Sequence, residues 1–537
     1  PADIPMGPLA PVPRPRILAP DGQRFALTVF GQPAHDAADR TSRAFAGWNP
    51  PLGSADADLL DELPTMWGRG RDLGRNEALT ASAYQTYRDN IVGHILRLSA
   101  QPAYRMLGRD KEWSDEWGNS VEAWFQTWSD SAECDAARTQ TLLGLTHQAL
   151  TGALMNGDAL AVATWEPRPD SLWSTRLQMI EADRLDTPPL LASRSDIRKG
   201  VEIDRYGAPV AYHVRKTHPG DLGSGFDDFE RIPAFTPWGR RRVIHLYDKE
   251  RSEQSRGKPI VAAVMKDLRM AGNYSQAELK AAVVNALVAA FIESDLPQDS
   301  VAALFSGGGE DLINPLQYWN EAFSAANAPR LEGGAVIPIP IGAKLASHNP
   351  GRPATAFGVF MGSVVRRIAA GMHLPYELLL KDFSKTNYSS ARAALLEAWR
   401  FFLGRRRWLS DMWLQPIYEL WMEEAIALGR VLAPGFYSNK YAWLKSRWVF
   451  AGRGWVDPVK EATAAKLRLE DLSTLEMECA EQGLDWEDVL EQQARERSRR
   501  QKLGLPEPGA TASTAPPPEP DDDEAPAGQN SQEPADA

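Results

Sequence analysis

Two hydrophobic periods alternate along the chain, and their order divides it. "ALTASAYQTYRDNIVGHILRL" (78–98) and "SVEAWFQTWSDS" (120–131) place apolar residues at helical spacing, and each predicts a helix. "TRLQMIEADRLDTP" (175–188) breaks that spacing, and "KGVEIDRYGAPVAYHVRK" (199–216) reads as strand, turn, strand with Asp204–Gly207 as the turn. "RRVIHLYDK" (241–249) predicts one more short strand, so this part is a mixed α+β domain.

The period then lengthens. Pro259 stands where a helix can start, because its missing N–H costs nothing at the first helical position. From there an apolar pattern continues to about Ser294, roughly 50 Å of helix, and near 281–292 it covers more than one face. Such a helix is either a central core helix of a monomer or one packed between neighbouring copies. Pro297 ends it, a helix is predicted over 312–325, and 330–349 follows with Val336, Ile337, Ile339 and Ile341 interleaved with Pro338 and Pro340. Proline removes ladder donors, so this is an edge strand or an extended segment. It pairs with another chain or is covered by its own domain. A second helix over 354–373 brings the chain back, which makes 259–373 an out-and-back excursion.

A polar, aperiodic stretch, "KDFSKTNYSS" (381–390), then runs into a long helix marked by Leu395, Ala398, Phe402, Leu409, Trp413, Ile417 and Leu420. Pro416 is expected to kink that helix by freeing the carbonyl four residues back. Extended pieces follow at 441–450, and helices resume over 457–502 behind Asp457-Pro458. Seven prolines in the first twenty residues predict an extended arm there.

Composition changes the picture mainly through charge. The 537 residues carry a net charge of −12, but residues 503–537 hold eight acids and no Lys or Arg; removing those eight leaves −4. The body is therefore nearly balanced, and 504–537 is expected to be a disordered acidic tail. Two cysteines, Cys134 and Cys479, point away from a disulfide scaffold and fit a reducing, cytoplasmic setting. The N-terminal stretch lacks a signal-peptide pattern, and the most apolar run, 281–292, is too short to span a membrane.

Catalytic constellations do not emerge. "SGGGED" (306–311) lacks the spacing and lysine of a phosphate loop, no Gly-x-Ser-x-Gly elbow occurs, and the eight histidines form no His-x-x-x-His pair. His213, His218 and Asp221 read as a solvated turn, and Asp227-Asp228 and Glu423-Glu424 as solvated faces. Arg405-Arg406-Arg407 either touches phosphate or pairs on its own helix. No catalytic residue, cofactor or metal is expected.

"DRTSRAFAGWNPPLGSADADLL" (39–60), "YRDNIVGHILRLSAQP" (87–102), "AAFIESDLP" (289–297), "NYSSARAALLEAWRFFLGRRRWL" (387–409) and the segment 452–496 resemble, in collinear order, the lambda-type portal proteins of tailed bacteriophages. The resemblance implies a mainly helical α+β chain assembled as a ring, usually dodecameric, at one capsid vertex. Double-stranded DNA would be packaged and ejected through it, with terminase, the head–tail connector, the major capsid protein and scaffold as partners. It implies a Pro-rich arm (1–35), a wing (36–258), a first stem helix (259–295), a clip (296–352) and a second stem helix (353–374). A tunnel loop (375–390), a long kinked helix with wing return (391–456) and a helical crown (457–503) would follow. The site residues it implies are Lys381, Phe383, Lys385 and Asn387 toward the DNA channel, with Asn387 or Ser389 capping the next helix. In the clip they are Val336, Ile337, Ile339 and Ile341, facing terminase or a neighbouring subunit. The alternatives are a DNA-processing enzyme of unrecognised class, or a scaffold or adaptor acting through its polar ends.

Overall fold

A computed structural model describes residues 37, 47–221, 228–287, 290–292, 336–338, 357–384, 388–453 and 458–505. Residues 47–54 belong to a unit separate from the one that starts at Ala55, and the architecture below is that of the second unit.

A short helix over Ala55–Leu59 opens it, helices α1 (Leu63–Asn76) and α2 (Ala78–Tyr87) follow, and a π turn over Arg88–Val92 extends α2. The apolar period suggests a helix continuing to 98. Gly93, at φ 72°, ends it instead, and Leu96–Ala100 forms strand β1. Leu98 and Ala100 are buried while Arg97 points outward, an alternation of two hidden inside the apolar spacing. Asp110 caps α3 (Lys111–Ser129) by accepting the Trp113 N–H at 2.8 Å. Trp117, Val121, Phe125 and Trp128 form its buried stripe. Helix α4 (Leu142–Asn156) buries six apolar side chains and ends at Gly157, φ 96°. A Cβ at Gly157 would overlap the Gly257 carbonyl, so only glycine fits this crossing.

Two antiparallel sheets follow. Strands β2 (Asp158–Trp165), β3 (Thr175–Ile180) and β8 (Val243–Tyr247) run in the order β3-β2-β8. Between them in sequence, β4 (Ile197–Arg198), β5 (Val201–Ile203), β6 (Pro209–Arg215) and β7 (Phe229–Pro233) form a four-stranded sheet in chain order. The expected turn at 204–207 joins β5 to β6: Gly207 takes φ 80°, and the Asp204 carboxylate accepts the Tyr206 and Ala208 N–H groups at 2.8 Å. Leu160, Val162, Ile180, Tyr212, Val214 and Ile232 make one small core from both sheets.

The first long helix is shorter than its pattern. Ile260 donates its N–H to the Leu154 carbonyl at 2.9 Å, so Pro259 opens a series of turns, and α5 begins at Met265 and ends at Leu287. Further along the apolar run, β9 (Ala290–Ile292) pairs in parallel with β10 (Val336–Pro338). Helices α6 (Phe357–Gly371) and α7 (Tyr376–Leu380) lead to α8 (Tyr388–Leu409). The irregularity expected at Pro416 is a π turn over Ser410–Leu414, after which α9 runs Gln415–Ala427. The Gln415 N–H reaches back to the Ser410 carbonyl, and this wider turn admits a proline that cannot donate. Trp413, Tyr418 and Trp421 from this helix meet Phe125, Trp128 and Trp173 in the main core. Strand β11 (Ser446–Phe450) returns to pair antiparallel with β1, Leu96 opposite Phe450. The chain finishes in α10 (Pro458–Asp471), α11 (Leu475–Glu481) and α12 (Trp486–Leu503). The described unit is mixed α+β and mainly helical.

Candidate functional site: an anchored loop and two outward apolar helices

The polar stretch after α6 is fixed at its base and open at its tip. A Cβ at Gly371 would overlap Val264, so α6 ends in close contact with the turns before α5. The Met372 carbonyl accepts the Tyr87 hydroxyl, His373 at φ 55° stacks on Phe401 with centroids 5.4 Å apart, and Leu379 is fully buried. Its carbonyl accepts the Ser82 hydroxyl at 2.9 Å, which pins α7 to α2. Lys381 at φ 55° then closes α7 in the left-handed conformation. Beyond that cap Lys381, Phe383 and Ser384 are exposed, and the Asp382 carboxylate turns back to accept the Ser384 N–H at 2.9 Å. Lys381 makes no ion pair among the described residues, so its ammonium is held out by a rigid base. Lys385 and Asn387 lie outside the described residues. The expected loop 375–390 therefore contains a short helix at its start and the first turn of α8 at its end.

Helices α5 and α6 lie side by side. Tyr274 packs on Phe357 and Phe360 (5.5 and 5.7 Å), and Arg367 pairs with Asp267 at 3.0 Å. Leu268 and Ala271 of α5 and Val365, Ile368 and Ala369 of α6 face the core. Leu279 and Val359 are 66% and 75% exposed, and Met270, Val283 and Phe360 are also more than half exposed. In the extended segment, Val336 and Ile337 stand opposite Ala290 and Phe291 of the same chain, in a sheet that has two strands among the described residues. Ile339 and Ile341 lie outside them.

The other candidates resolve into structure. Arg405 pairs with Asp248 at 2.5 Å and Arg407 with Asp411 at 2.7 Å. Arg406 is buried and donates to the carbonyls of Ile91, Asn90 and Ala451, so this triplet is engaged within the chain. Glu423 and Glu424 are not a solvated face. Glu424 accepts the Ser174 and Thr175 N–H groups at 2.6 and 2.9 Å, starting β3, while Glu423 pairs with Lys440 at 2.7 Å. The apolar run around them, Tyr418 to Ala425, was the signal that this face is buried. His213 is buried against Glu202 at 3.1 Å, away from His218. His218 instead meets Glu181 and Asp183 (3.7 and 3.8 Å), but Arg71 already bridges those two carboxylates, which leaves a cation little to gain. Cys134 and Cys479 are free and buried, and burial pushes the Cys134 thiol up to about 12, away from thiolate chemistry. No described helix is long and apolar enough to cross a membrane.

The comparisons with known proteins give this arrangement a class. The chain is 31% identical over 512 residues to "Portal protein B" of Escherichia phage lambda, covering 93% of this chain and 95% of that protein. It is equally similar over 513 residues to the "Portal protein" of Escherichia phage N15, with coverage of 93% and 96%. Among solved structures, the neck of a native gene transfer agent particle computed with C12 symmetry aligns at 14% identity and a TM-score of 0.37, covering 83% of this chain and 94% of that one. The two phage relatives are portal proteins, a structural class of the phage head–tail vertex. The family model for phage portal proteins of the lambda family matches residues 41–406, and this chain belongs to that family.

Proposed function

We propose that copies of this chain close into a ring, dodecameric as is usual among such proteins, through which double-stranded DNA enters during packaging and leaves on ejection. The observation that carries this reading is the apolar surface that α5 and α6 leave exposed. Two packed helices leave Met270, Leu279, Val283, Val359 and Phe360 more than half exposed, apolar surface suited to contact with other copies. On this reading α5 and α6 are the stem, 296–352 is the clip toward terminase and then the head–tail connector, and 457–503 is the crown. The loop 375–390 faces the channel, with Lys381, Phe383, Lys385 and Asn387 at the DNA; Val336, Ile337, Ile339 and Ile341 lie at the clip surface. The major capsid protein and scaffold meet the outside of the ring during assembly in the host cytoplasm. No catalytic residue, cofactor or metal enters the function.

Negative-stain microscopy with sedimentation tests it. Wild-type chain is expected as rings, and the double variant Leu279→Asp, Val359→Asp as single chains with unchanged far-ultraviolet circular dichroism. Single chains from the wild type at every concentration, or intact rings from the variant, would overturn the reading.

A further inference from the structure

One cleft in the described unit lies away from the loop and from the stem helices. It has a volume of about 1300 Å³ and is bounded by the end of α8, the segment 437–448 and helices α10 and α11. Its lining has two characters. Trp399, Trp448, Tyr437 and Tyr441 supply aromatic faces, with Tyr437 and Tyr441 largely exposed. Of its seven Arg and Lys residues, Arg407, Lys440, Arg447 and Arg468 pair with acids and Arg406 is buried on carbonyls, while Lys445 is exposed without an ion pair among the described residues.

One segment of this chain has the matching chemistry. Residues 506–537 contain eight prolines, eight acids and no base, and "PPPEPDDDE" (516–524) places a proline run directly before four acids. Proline-rich chain in the polyproline conformation docks on aromatic-lined grooves, because its ridges fit between rings and little entropy is lost. The acids that follow fit the cations beside those rings. Reach permits it: α12 starts at Trp486, close in sequence to Glu481 in the cleft wall, and its 18 residues run roughly 27 Å. Extended chain from 505 to 516 can span about 36 Å back. The other proline-rich segment, 1–20, carries Arg14 and Arg16 against Asp3 and so has no acidic run to meet Lys445.

The geometry points to the acidic segment 506–537 as the occupant of this cleft, its prolines against the aromatic faces and its acids toward Lys445. This goes beyond the conduit reading and does not depend on it. The test uses the full chain with the photocrosslinker p-benzoylphenylalanine in place of Tyr441, followed by peptide mass spectrometry. Crosslinks are expected within 506–537, falling several-fold in the variant Asp521→Asn, Asp522→Asn, Asp523→Asn, Glu524→Gln. That variant should also bind short duplex DNA at low salt more tightly than the wild type. Crosslinks confined to residues 55–505, which would mean that a second copy fills the cleft, overturn the proposal. So do tail crosslinks indifferent to the four charge changes.

Discussion

At the scale of single residues, the informative groups are charges placed where water is scarce. Arg256 is fully buried, donates to the carbonyls of Leu185, Lys199 and Ala182, and pairs with Asp158, which also faces His245. Burial alone would raise the Asp158 carboxyl; Arg256 and His245 more than offset it and hold it at about 2. Glu122 is the opposite case. Its carboxylate accepts the Ala100 N–H at 2.6 Å, yet burial, and then Asp485, Glu487 and Asp488 at the start of α12, push it up from 4.5 to about 8. A raised carboxyl binds its proton more tightly folded than unfolded. The stability it contributes is complete below about 4.5 and is lost as pH rises through about 8. Glu122→Gln keeps an acceptor for Ala100 without the charge. The variant is therefore expected to match the wild type in melting temperature at pH 5 and to exceed it progressively toward pH 8. A difference that does not vary with pH would show that Glu122 is not the titrating group.

At the scale of elements, what the sequence reveals depends on how local the cause is. The long helix from 388 to 427 was legible because its apolar period and Pro416 act within a few residues. The same holds for the turn at Asp204–Gly207 and for the start of α10 at Pro458. Strand β1 was not legible, since its partner β11 comes from the far end of the described chain and its alternation sits inside an apparent helix. The start of α5 was displaced by one hydrogen bond to Leu154 that no local pattern contains. The site divides the same way. Exposure of Lys381 and Phe383 could be read from a polar, aperiodic stretch, but the anchors Tyr87 and Ser82 come from α2. The break between α2 and β1 yields a test. Gly93 has φ 72° and ψ −154°, a region open essentially to glycine, and a Cβ there would overlap the Cβ of Ala451 beside β11. Gly93→Ala is expected to destabilise by about 1–3 kcal/mol in denaturant unfolding. Adding Ala451→Gly should recover only the steric part. Full recovery would mean that the backbone conformation carries no strain for alanine, and no loss in the single variant would mean that β1 and β11 can separate at this end.

At the scale of the whole molecule, the balance of charge bears on what a conduit requires. With the eight acids of 503–537 set aside, the remainder carries only −4, and its buried cations are engaged with carbonyls and carboxylates of the same chain. A polyanion that must slide cannot meet a continuous cationic wall, because each neutralised phosphate adds to the free energy that holds it in place. Ring symmetry multiplies any lysine that does face the axis, so one mobile cation per copy becomes a girdle of weak contacts. On the proposed reading that cation is Lys381, carried on the base that Ser82 pins, with Lys385 following it in the sequence. Replacing both with alanine removes charge at the exposed tip and leaves Tyr87, Ser82 and Leu379 in place. Rings are therefore expected to form as in the wild type, while particles assembled with the variant package or retain DNA differently, with the difference shrinking as salt rises. Packaging and retention equal to the wild type at low salt would remove the loop from the DNA path. Failure of the variant to form rings would instead assign the two lysines to assembly.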